Sequence, residues 1–256
     1  MYFSVLGSGS KGNSVYIESG KTAILIDAGF SGKEMAARLQ TIGRRIEDLD
    51  ALFVTHEHHD HIHGVGVLSR RYEIPVYCNY GTMHKGEKLL GRLFRHCEFG
   101  TGETFQMQDF EIRTFSVSHD AAEPVGFIIS NGRMTLAYCT DTGTVSRLLQ
   151  QRLLGCHALI LEFNYDLKML QNGPYPLPLQ QRVSSRHGHL ANEAGANFLQ
   201  SLLHQQLKHV VLAHLSAVNN HPDLALTAAR NVIGELPIQL RVASQSVATE
   251  LISLGS

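Results

Sequence analysis

The stretch THEHHDHIHG, residues 55–64, places five histidines, a glutamate and an aspartate within ten residues. Such a run is compatible with a zinc-protease helix, a metal-binding loop or a solvated polar turn. The zinc-protease signature H-E-x-x-H requires a histidine four residues after His56, but the chain has Asp60 there. The run also follows the apolar stretch ALFVT instead of lying inside an amphipathic helix. The zinc-protease interpretation is therefore rejected.

The same residues also fit the pattern H-x-H-x-D-H. In an extended chain, residues i and i+2 point the same way, so His56 and His58 are expected to converge on one cation. Where the chain turns, Asp60 and His61 are expected to face a second cation. Mixed nitrogen and oxygen ligands suit zinc, manganese or iron. Two ligand sets this close are typical of hydrolases whose paired ions lie roughly 3.5–4 Å apart. His59 and His63 are expected to face solvent or substrate.

Four side chains cannot saturate two cations, so other parts of the chain must supply at least one histidine for each ion and a carboxylate. Three polar residues each close an apolar run that is typical of a β-strand: His119 after FEIRTFSVS, Asp141 after MTLAYCT and His214 after KHVVLA. Any one of them alone would be an ordinary cap or turn residue. Together with the histidine run they predict a site built along one edge of a sheet sandwich.

Composition places this site in an ordinary globular protein. The chain has 256 residues, 43% of them hydrophobic and 18% charged, with a formal net charge of −1. That length suffices for one sizeable core or two small ones. We find no apolar run of roughly 18 residues and no signal-peptide pattern, so no membrane association is expected. Four cysteines without a CxxC pair favour free thiols in the cytoplasm. Near-zero net charge leaves nucleic-acid binding to local patches.

The order of the predicted elements indicates a layered α/β architecture. YFSVL, SVYIE and TAILID are predicted strands, and GKEMAARLQTIG is a predicted helix with Met35, Ala36 and Leu39 on its apolar face. Asn131-Gly132 between two β-like runs predicts a hairpin. The segment with Pro174, Pro176 and Pro178 is predicted to be a loop. Two strand-rich halves with outer helices suggest a single αββα domain over residues 1–256.

The loop Gly7–Gly12 matches G-x-G-x-x-G, and Asp27 follows about twenty residues later, as in a dinucleotide-binding motif. That motif must open a helix, whereas the following residues, SVYIESGKTAILID, are typical of a β-hairpin. No nucleotide cofactor is therefore expected. The loop is interpreted either as a simple turn or as a wall of the active site, where three side chains would bind a phosphate: Ser8, Ser10 and Asn13.

The T-H-x-H-x-D-H motif, followed in order by His, Asp and His after strands, resembles the metallo-β-lactamase superfamily over nearly the whole chain. The resemblance implies an αββα four-layer sandwich with a two-metal site at one edge. It also implies three groups of ligands: His56, His58 and His119 for the first ion, Asp60, His61 and His214 for the second, and Asp141 as the bridging carboxylate. The cysteine ligand of the lactamases is absent, because Cys139 lies two residues before Asp141.

Within that superfamily, six phrases resemble the YycJ-type exonucleases: LGSGSKGNS, IDAGFSGKE, HDAAEPVGF, LEFNYD, HGHL and LAHLSAVNNHPDLA. This resemblance implies a dinuclear phosphodiesterase acting as a 5′-to-3′ exonuclease on DNA, in which metal-activated water attacks the phosphodiester. Two alternatives remain: a metal-dependent hydrolase of a thioester or cyclic phosphodiester, and a non-catalytic binding module stabilised by metal. No oligomeric state is predicted.

Supporting roles are assigned around the ligands. His189, in RHGHL, is expected to be a further ligand, a phosphate contact or the proton donor to the leaving oxygen. The residues expected to take part in catalysis are Asp60, Asp141 and His189. Three carboxylates are expected to orient ligand imidazoles through hydrogen bonds: Asp27 (to His58 or His61), Asp120 and Glu162. For Glu162, a ligand role or a plain strand-end position is an alternative. Arg182 and Arg186 are placed to meet a phosphate, with His187 as a looser neighbour.

A second basic feature lies farther from the ligands. Lys85, Lys88, Arg92 and Arg95 recur at three- and four-residue steps, which predicts one basic helix face. Such a face could follow a DNA backbone, although most charged helix faces are simply solvated.

Overall fold

In the computed structural model, which describes residues 1–255, the chain forms two seven-stranded mixed sheets. The first sheet contains β1 (Tyr2–Gly7), β2 (Ser14–Ser19), β3 (Thr22–Ile26), β4 (Ala51–Phe53), β5 (Val76–Cys78), β6 (His96–Glu98) and β14 (Ile252–Ser253). Its strand order is β14-β1-β2-β3-β4-β5-β6. Pairing is antiparallel from β14 to β3 and parallel from β3 to β6.

The second sheet contains β7 (Thr104–Met107), β8 (Phe110–Ser116), β9 (Val125–Ser130), β10 (Thr135–Cys139), β11 (Ala158–Glu162), β12 (His209–Ala213) and β13 (Gln239–Val242). Its strand order is β13-β12-β11-β10-β9-β8-β7. Pairing is parallel from β13 to β10 and antiparallel from β10 to β7. Each sheet therefore has a parallel half. The predicted site lies at the carboxyl ends of the strands there and of β8, which runs in the same direction as β10 on the other side of β9.

Helices cover the outer face of each sheet. The first half of the chain supplies α1 (Gly32–Thr41), α2 (His59–Ile62), α3 (Val65–Tyr72) and α4 (Tyr80–Leu90), and the second half supplies α5 (Arg147–Leu153), α6 (Leu167–Asn172), α7 (Leu177–Val183), α8 (Asn192–Leu202) and α9 (Pro222–Ile233). No helix among residues 1–255 combines the length and apolar character that crossing a membrane requires.

Strand β3 shows why the layers form. Successive side chains of a strand point to opposite faces. Ile24 and Ile26 therefore enter the core between the two sheets, while Leu25 packs outward with Met35 and Leu39 of α1. Strand β11 does the same in the second sheet, where Leu159 and Leu161 point outward toward α5, α8 and α9. Strands apolar on both faces must be covered twice. The predicted αββα sandwich is confirmed.

Local signals set the ends of α1. The hydroxyl of Ser31 accepts a hydrogen bond from the backbone N–H of Glu34 at 3.3 Å, which satisfies one free donor of the first turn. The left-handed Gly43, φ 69°, follows the last turn. Ala36, predicted on the apolar face, is exposed, and the partly apolar side chain of Arg38 is buried instead.

Two further structural predictions are wrong. The proline-rich segment predicted as a loop includes α7, whose second residue is Pro178. Proline fits there because N–H groups in the first turn have no partner inside the helix. The predicted single basic helix face is also absent from the described chain. Helix α4 carries Lys85 and Lys88 but ends before Gly91, whose φ of 60° turns the chain away, so Arg92 and Arg95 lie beyond it.

Candidate metal centre

Five strands from both sheets deliver polar side chains to one edge of the sandwich. His56 follows β4, and His119 follows β8. Asp141 follows β10, Glu162 is the last residue of β11, and His214 directly follows β12. Because the parallel strands of a sheet end at the same edge, these residues meet although they are far apart in sequence. The spatial convergence predicted from the sequence is therefore present in the fold.

The three histidines predicted to bind the first ion, His56, His58 and His119, are called here the first ligand group. Their ring centroids are 4.6 to 5.0 Å apart. The Nε2 atom of His119 lies 3.3 Å from Nδ1 of His58. One nitrogen of each ring lies within 4.8 Å of one nitrogen of each of the others. Three imidazole nitrogens at this spacing can share one cation.

The residues predicted to bind the second ion, Asp60, His61 and His214, are called here the second ligand group. Their donor atoms also lie within 4.8 Å of one another. The Oδ2 atom of Asp60 lies 3.7 Å from Nε2 of His61 and 3.8 Å from Nε2 of His214. Asp60 and His61 belong to the short helix α2, which begins at the turn after the first two histidines. That turn redirects the chain from one ligand group to the other.

The carboxylate of Asp141 lies between the groups. Its Oδ1 is 3.9 Å from Nε2 of His119 in the first group and 3.3 Å from Nε2 of His214 in the second. Its Oδ2 is 3.6 Å from Nε2 of His61. Burial alone would raise the pKa of Asp141, but the surrounding histidines, His214 foremost, hold it well below its ordinary value. The group is therefore an anion that lies between the two predicted metal positions.

Unpaired buried atoms test whether these residues fit a divalent metal ion. Within residues 1–255, the buried side-chain atoms without a hydrogen-bond partner include Nε2 of His56, Oδ2 of Asp141 and Nε2 of His214. A buried polar atom left without a partner costs about 1–3 kcal/mol, so native proteins avoid it. All three atoms face the cluster of ligands, and nitrogen and carboxylate oxygen are donors that zinc and manganese accept. The donor set therefore fits divalent metal.

Comparison with known proteins identifies the family. The family model described as the beta-lactamase superfamily domain matches residues 22–215. The chain belongs to the metallo-β-lactamase superfamily. It is 40% identical to exodeoxyribonuclease YycJ of Bacillus anthracis over 92% of this chain and 90% of that protein. It is 39% identical to exodeoxyribonuclease WalJ of Streptococcus pneumoniae (strain D39) over 94% and 91%. The resemblance to the YycJ-type proteins is confirmed.

Solved structures support the superfamily fold. The metallo-β-lactamase fold protein YhfI of Bacillus subtilis superposes with a TM-score of 0.76 over 97% of this chain and 98% of that chain, at 18% identity. Zn²⁺-bound PqqB of Methylobacterium extorquens superposes with a TM-score of 0.74 over 98% and 100%, also at 18% identity. At this identity the likeness concerns the fold alone.

In this superfamily member, a buried carboxylate orients the second ligand group. Asp27 accepts a hydrogen bond from Nδ1 of His61 at 2.8 Å and from the backbone N–H of Thr55 at 2.9 Å. Burial lowers the pKa of His61, but the carboxylates of Asp27, Asp141 and Asp60 outweigh it and raise the pKa to about 9. Of the two imidazoles predicted for Asp27, the structure pairs it with His61. The hydrogen bond at Nδ1 of His61 leaves Nε2 of the same ring directed at the cluster.

Thr55 is a residue that the sequence reasoning missed. Its hydroxyl lies 2.9 Å from Oδ2 of Asp27 and 2.9 Å from Nδ1 of His56. It therefore links one ligand of each group to the same buried carboxylate. Thr55 directly precedes the first histidine, so its place in the motif was the available signal.

Glu162 performs the same task on the opposite side. The carboxylate is fully buried, and its Oε1 accepts from Nδ1 of His189 at 2.6 Å and lies 3.3 Å from Nδ1 of His214. Its Oε2 accepts the backbone N–H of Thr142 at 2.9 Å. Because Glu162 engages Nδ1 of both rings, the Nε2 atoms of His189 and His214 are left free for a metal ion or the substrate. This geometry matches the orienting role predicted for Glu162. Its carboxylate also lies within 4.8 Å of donor atoms of Asp141, His189 and His214, so the ligand role stays a prediction as well.

His189 lies beside the second ligand group. Its ring stacks on that of His214 with centroids 5.1 Å apart, and its Nδ1 is 3.9 Å from Oδ1 of Asp141. Asn164, also missed from the sequence, donates from Nδ2 to the backbone oxygen of His214 at 2.7 Å. It fixes the turn on which that ligand sits.

Asp120 lies on the outer side of the first ligand group. Its Oδ1 is 3.4 Å from Nε2 of His119 and 3.9 Å from Nε2 of His58. Its Oδ2 accepts a 2.7 Å hydrogen bond from Nε of Arg182 on α7. Burial raises the pKa of Asp120, but the hydrogen bond from Arg182 and the charge of the nearby His119 lower it by more, so the net shift of the pKa is downward. Arg182 is thus tied to the site through a carboxylate.

The predicted phosphate contacts of Ser8 and Asn13 conflict with their burial. The hydroxyl of Ser8 accepts the backbone N–H of His214 at 2.8 Å. Nδ2 of Asn13 donates to Oδ2 of Asp60 at 3.2 Å and lies 3.0 Å from Nε2 of His61. Both side chains therefore support ligands from inside the protein. Ser10, the third member of that prediction, is exposed.

The remaining predicted residues lie around the rim. Arg186 has an exposed side chain, and its backbone oxygen accepts hydrogen bonds from the hydroxyls of Ser118 and Thr144. His187 is exposed, with Nδ1 3.3 Å from the Ser118 hydroxyl. His59 and His63 are exposed and adjacent, with ring centroids 4.5 Å apart.

Two concave surfaces adjoin the ligands. The first, called here the His189 pocket, has a volume of about 200 Å³ and is bordered by His189, His214 and α7. The second, called the His119 groove, has a volume of about 560 Å³ and is bordered by His119, Ser118 and Arg152. Because ligand histidines border both, a substrate can approach the centre from either side.

Proposed function

We propose that this protein is a dinuclear metal-dependent phosphodiesterase that degrades DNA as a 5′-to-3′ exonuclease. The observation that carries the proposal is the meeting of two ligand groups at the buried carboxylate of Asp141. Paired cations are the usual device for displacing an oxygen at phosphorus. The names of the two exodeoxyribonuclease relatives, which align over nine-tenths of the chain, support DNA as the substrate.

The proposed cofactors are two divalent ions, zinc, manganese or iron. His56, His58 and His119 would hold one ion, and Asp60, His61 and His214 the other, with Asp141 contacting both. When bound, such ions supply a polarised phosphoryl oxygen and a water of lowered pKa.

The protein side chains would supply orientation and proton transfer. Because Glu162 engages Nδ1 of His189, the Nε2 atom of that ring is left to give a proton to the leaving oxygen. The carboxylate of Asp60, itself a member of the second ligand group, would accept a hydrogen bond from the attacking water and align it. The exposed guanidinium of Arg186 would neutralise charge on a substrate phosphate.

We also propose that residues 1–256 form one cytoplasmic domain. The core between the sheets combines residues from both halves of the chain, such as Phe3 and Ile160, which supports a single unit. The four cysteines are free, and Cys78, Cys139 and Cys156 are buried, which supports a reducing compartment.

The test offers the metal-loaded protein four substrates side by side: 5′-labelled duplex DNA, matched RNA, a thioester and a chromogenic phosphodiester. We expect release of labelled mononucleotides from DNA. Elemental analysis of the same sample should find two divalent ions per chain. Consumption of the thioester or the small diester in place of DNA would replace the proposal with a small-molecule hydrolase.

Asp141→Asn is the matched variant. Asparagine keeps the size and tolerates the left-handed φ of 56° at this position, so the fold should survive. The variant should lose at least about 100-fold in kcat, since an interaction with the reacting centre is worth about 2.7 kcal/mol or more. Asp223→Asn, at an 82% exposed carboxylate on α9, is the control. Wild-type activity in Asp141→Asn would contradict the proposal.

A further inference from the structure

The His189 pocket is small and lies directly beside the ligands. Its volume of about 200 Å³ is below the roughly 300–1,000 Å³ of pockets that enclose drug-sized molecules. It therefore suits one compact group of the substrate and not a whole dinucleotide. His189 and His214 form its inner border, so a group held there belongs to the nucleotide next to the reacting centre.

The walls of this pocket are suited to a flat ring. They include the partly exposed ring of Tyr175 and three aliphatic side chains, Leu179, Val183 and Leu215. Among the described lining residues, Arg182 is the one with a permanent positive charge, and its Nε already donates to Asp120. A phosphate-binding pocket would instead present free cations or backbone N–H groups.

Asn219 supplies a second, independent observation. It lines the pocket, is fully buried, and neither its Nδ2 nor its Oδ1 has a partner within residues 1–255. Its backbone N–H donates to the hydroxyl of Ser216, another lining residue, at 3.1 Å. The free amide offers one donor group and one acceptor. A phosphate monoester offers almost only acceptors, whereas the edge of a nucleobase offers both kinds of atom.

The segment above Asn219 can be displaced with little loss of packing. A Cβ atom on Gly173 would stand 2.7 Å from Oδ1 of Asn219, so the backbone of the α6–α7 connection covers this amide. Helix α6 buries only Leu170, and α7 buries no residue. A segment that buries so little apolar surface opens at low free energy. An entering ring could therefore reach the amide.

We propose that the His189 pocket binds the terminal nucleobase of the strand, with Tyr175 stacking on the base and Asn219 hydrogen-bonding to its edge. The proposal rests on the proposed exonuclease function and adds a subsite to it. It makes the terminal base, and not only the phosphodiester, part of what the enzyme recognises.

The first experiment measures binding to the metal-loaded protein by calorimetry. The probes are dAMP, dTMP, deoxyribose 5-phosphate and inorganic phosphate. Stacking of one base on an aromatic ring is worth a factor of about 5 to 150, so each nucleotide should bind more tightly than deoxyribose 5-phosphate by a factor in that range. Equal affinity for nucleotides and deoxyribose 5-phosphate would overturn the proposal.

Variants then locate the effect. Tyr175→Ala should remove most of the preference for nucleotides, and Tyr175→Phe should keep it, because the ring stacks and the hydroxyl is not needed. Tyr80→Ala removes an exposed tyrosine of α4 and should leave the preference unchanged. An unchanged preference in Tyr175→Ala would overturn the assignment of the pocket, as would an equal loss in Tyr80→Ala.

A cleavage assay separates this proposal from the function on which it rests. The substrates are DNA strands with either a normal or an abasic terminal nucleotide. If both are degraded with equal kcat/KM, the base subsite fails and the exonuclease stands. If neither is degraded but nucleotides still bind through Tyr175, the exonuclease fails and the subsite stands. We expect slower degradation of the abasic strand.

Discussion

Replacing Asp27 by asparagine tests whether one buried carboxylate sets the second ligand group. Oδ2 accepts from Nδ1 of His61 at 2.8 Å, and Oδ1 accepts from the backbone N–H of Thr55 at 2.9 Å. Asparagine preserves the volume and accepts the φ of 59° at this position. It removes the charge and presents an NH₂ group at one of the two oxygen positions. One donor, on His61 or on Thr55, must then face another donor.

The magnitude follows from the bond that is lost. A hydrogen bond to a charged group contributes about 1.5–3 kcal/mol, and every 1.4 kcal/mol is a factor of about ten. Asp27→Asn should therefore weaken the ion held by Asp60, His61 and His214 by roughly 10- to 100-fold, as is usual when the hydrogen-bond partner of a ligand imidazole is changed. The ion of the first ligand group should be weakened less, because Asp27 reaches that group only through the Thr55 hydroxyl.

The assay is a competition titration against a chromophoric chelator, which resolves two successive dissociation constants, combined with thermal unfolding of the metal-free protein. Asp50→Asn is the control. Asp50 also accepts a backbone N–H, from Ala23 at 2.8 Å, but lies at the far end of β3 from the cluster. If Asp27→Asn kept both constants unchanged, the orientation of His61 would not depend on this carboxylate, and the reasoning would be refuted.

Two further predictions concern positions outside the ligands. Gly29→Ala would place a Cβ atom 1.7 Å from the backbone oxygen of Asp60, so it should destabilise the fold by about 1–3 kcal/mol and weaken metal binding. The control Gly32→Ala, whose Cβ atom would have no contact closer than 3.5 Å, should have neither effect. Equal metal titrations and unfolding curves for the two variants would contradict this prediction. The hydrogen bonds from Arg44 lower the pKa of Glu18, so the stability from this pair is present above the unfolded pKa of about 4.3 and is lost as pH falls through the lower folded value. Urea unfolding from pH 6 to pH 3 should show a smaller loss in Glu18→Gln than in the wild type; parallel curves would speak against the linkage.

Much of the site could be predicted because its signals are local. His119, Asp141 and His214 each follow an apolar run with strand character, and the carboxyl ends of strands that run in the same direction in one sheet meet at one edge. The spacing within residues 56–61 separated the ligands into two groups without any knowledge of the fold. The order of strand-rich halves and helices likewise predicted the αββα layers, and β3 and β11 carry buried side chains on both faces, as the two inner layers require.

The errors arose where local pattern competes with backbone geometry or distant contacts. The basic positions from Lys85 to Arg95 keep helical spacing, but Gly91 adopts a left-handed conformation in their midst and ends the helix. Ser8 and Asn13 have the composition of a phosphate-binding loop, yet their partners lie 206 and 47 residues away. Nothing in the loop sequence indicates that these two side chains face inward.

Backbone conformation shows why the ligand motif alone does not define this site. Asp27, Asp141 and His214 have φ values of 59°, 56° and 56°, and all lie at or just beyond the ends of strands. Such conformations cost about 1–3 kcal/mol each for residues other than glycine, and persist only where surrounding contacts enforce them. At His214 those contacts are the Ser8 hydroxyl on its N–H and the Asn164 amide on its carbonyl oxygen. A chain that kept every ligand but lost these two polar residues would retain the motif and relax the turn that presents His214. The supporting residues are therefore as much a part of the candidate metal centre as the side chains predicted to bind the ions.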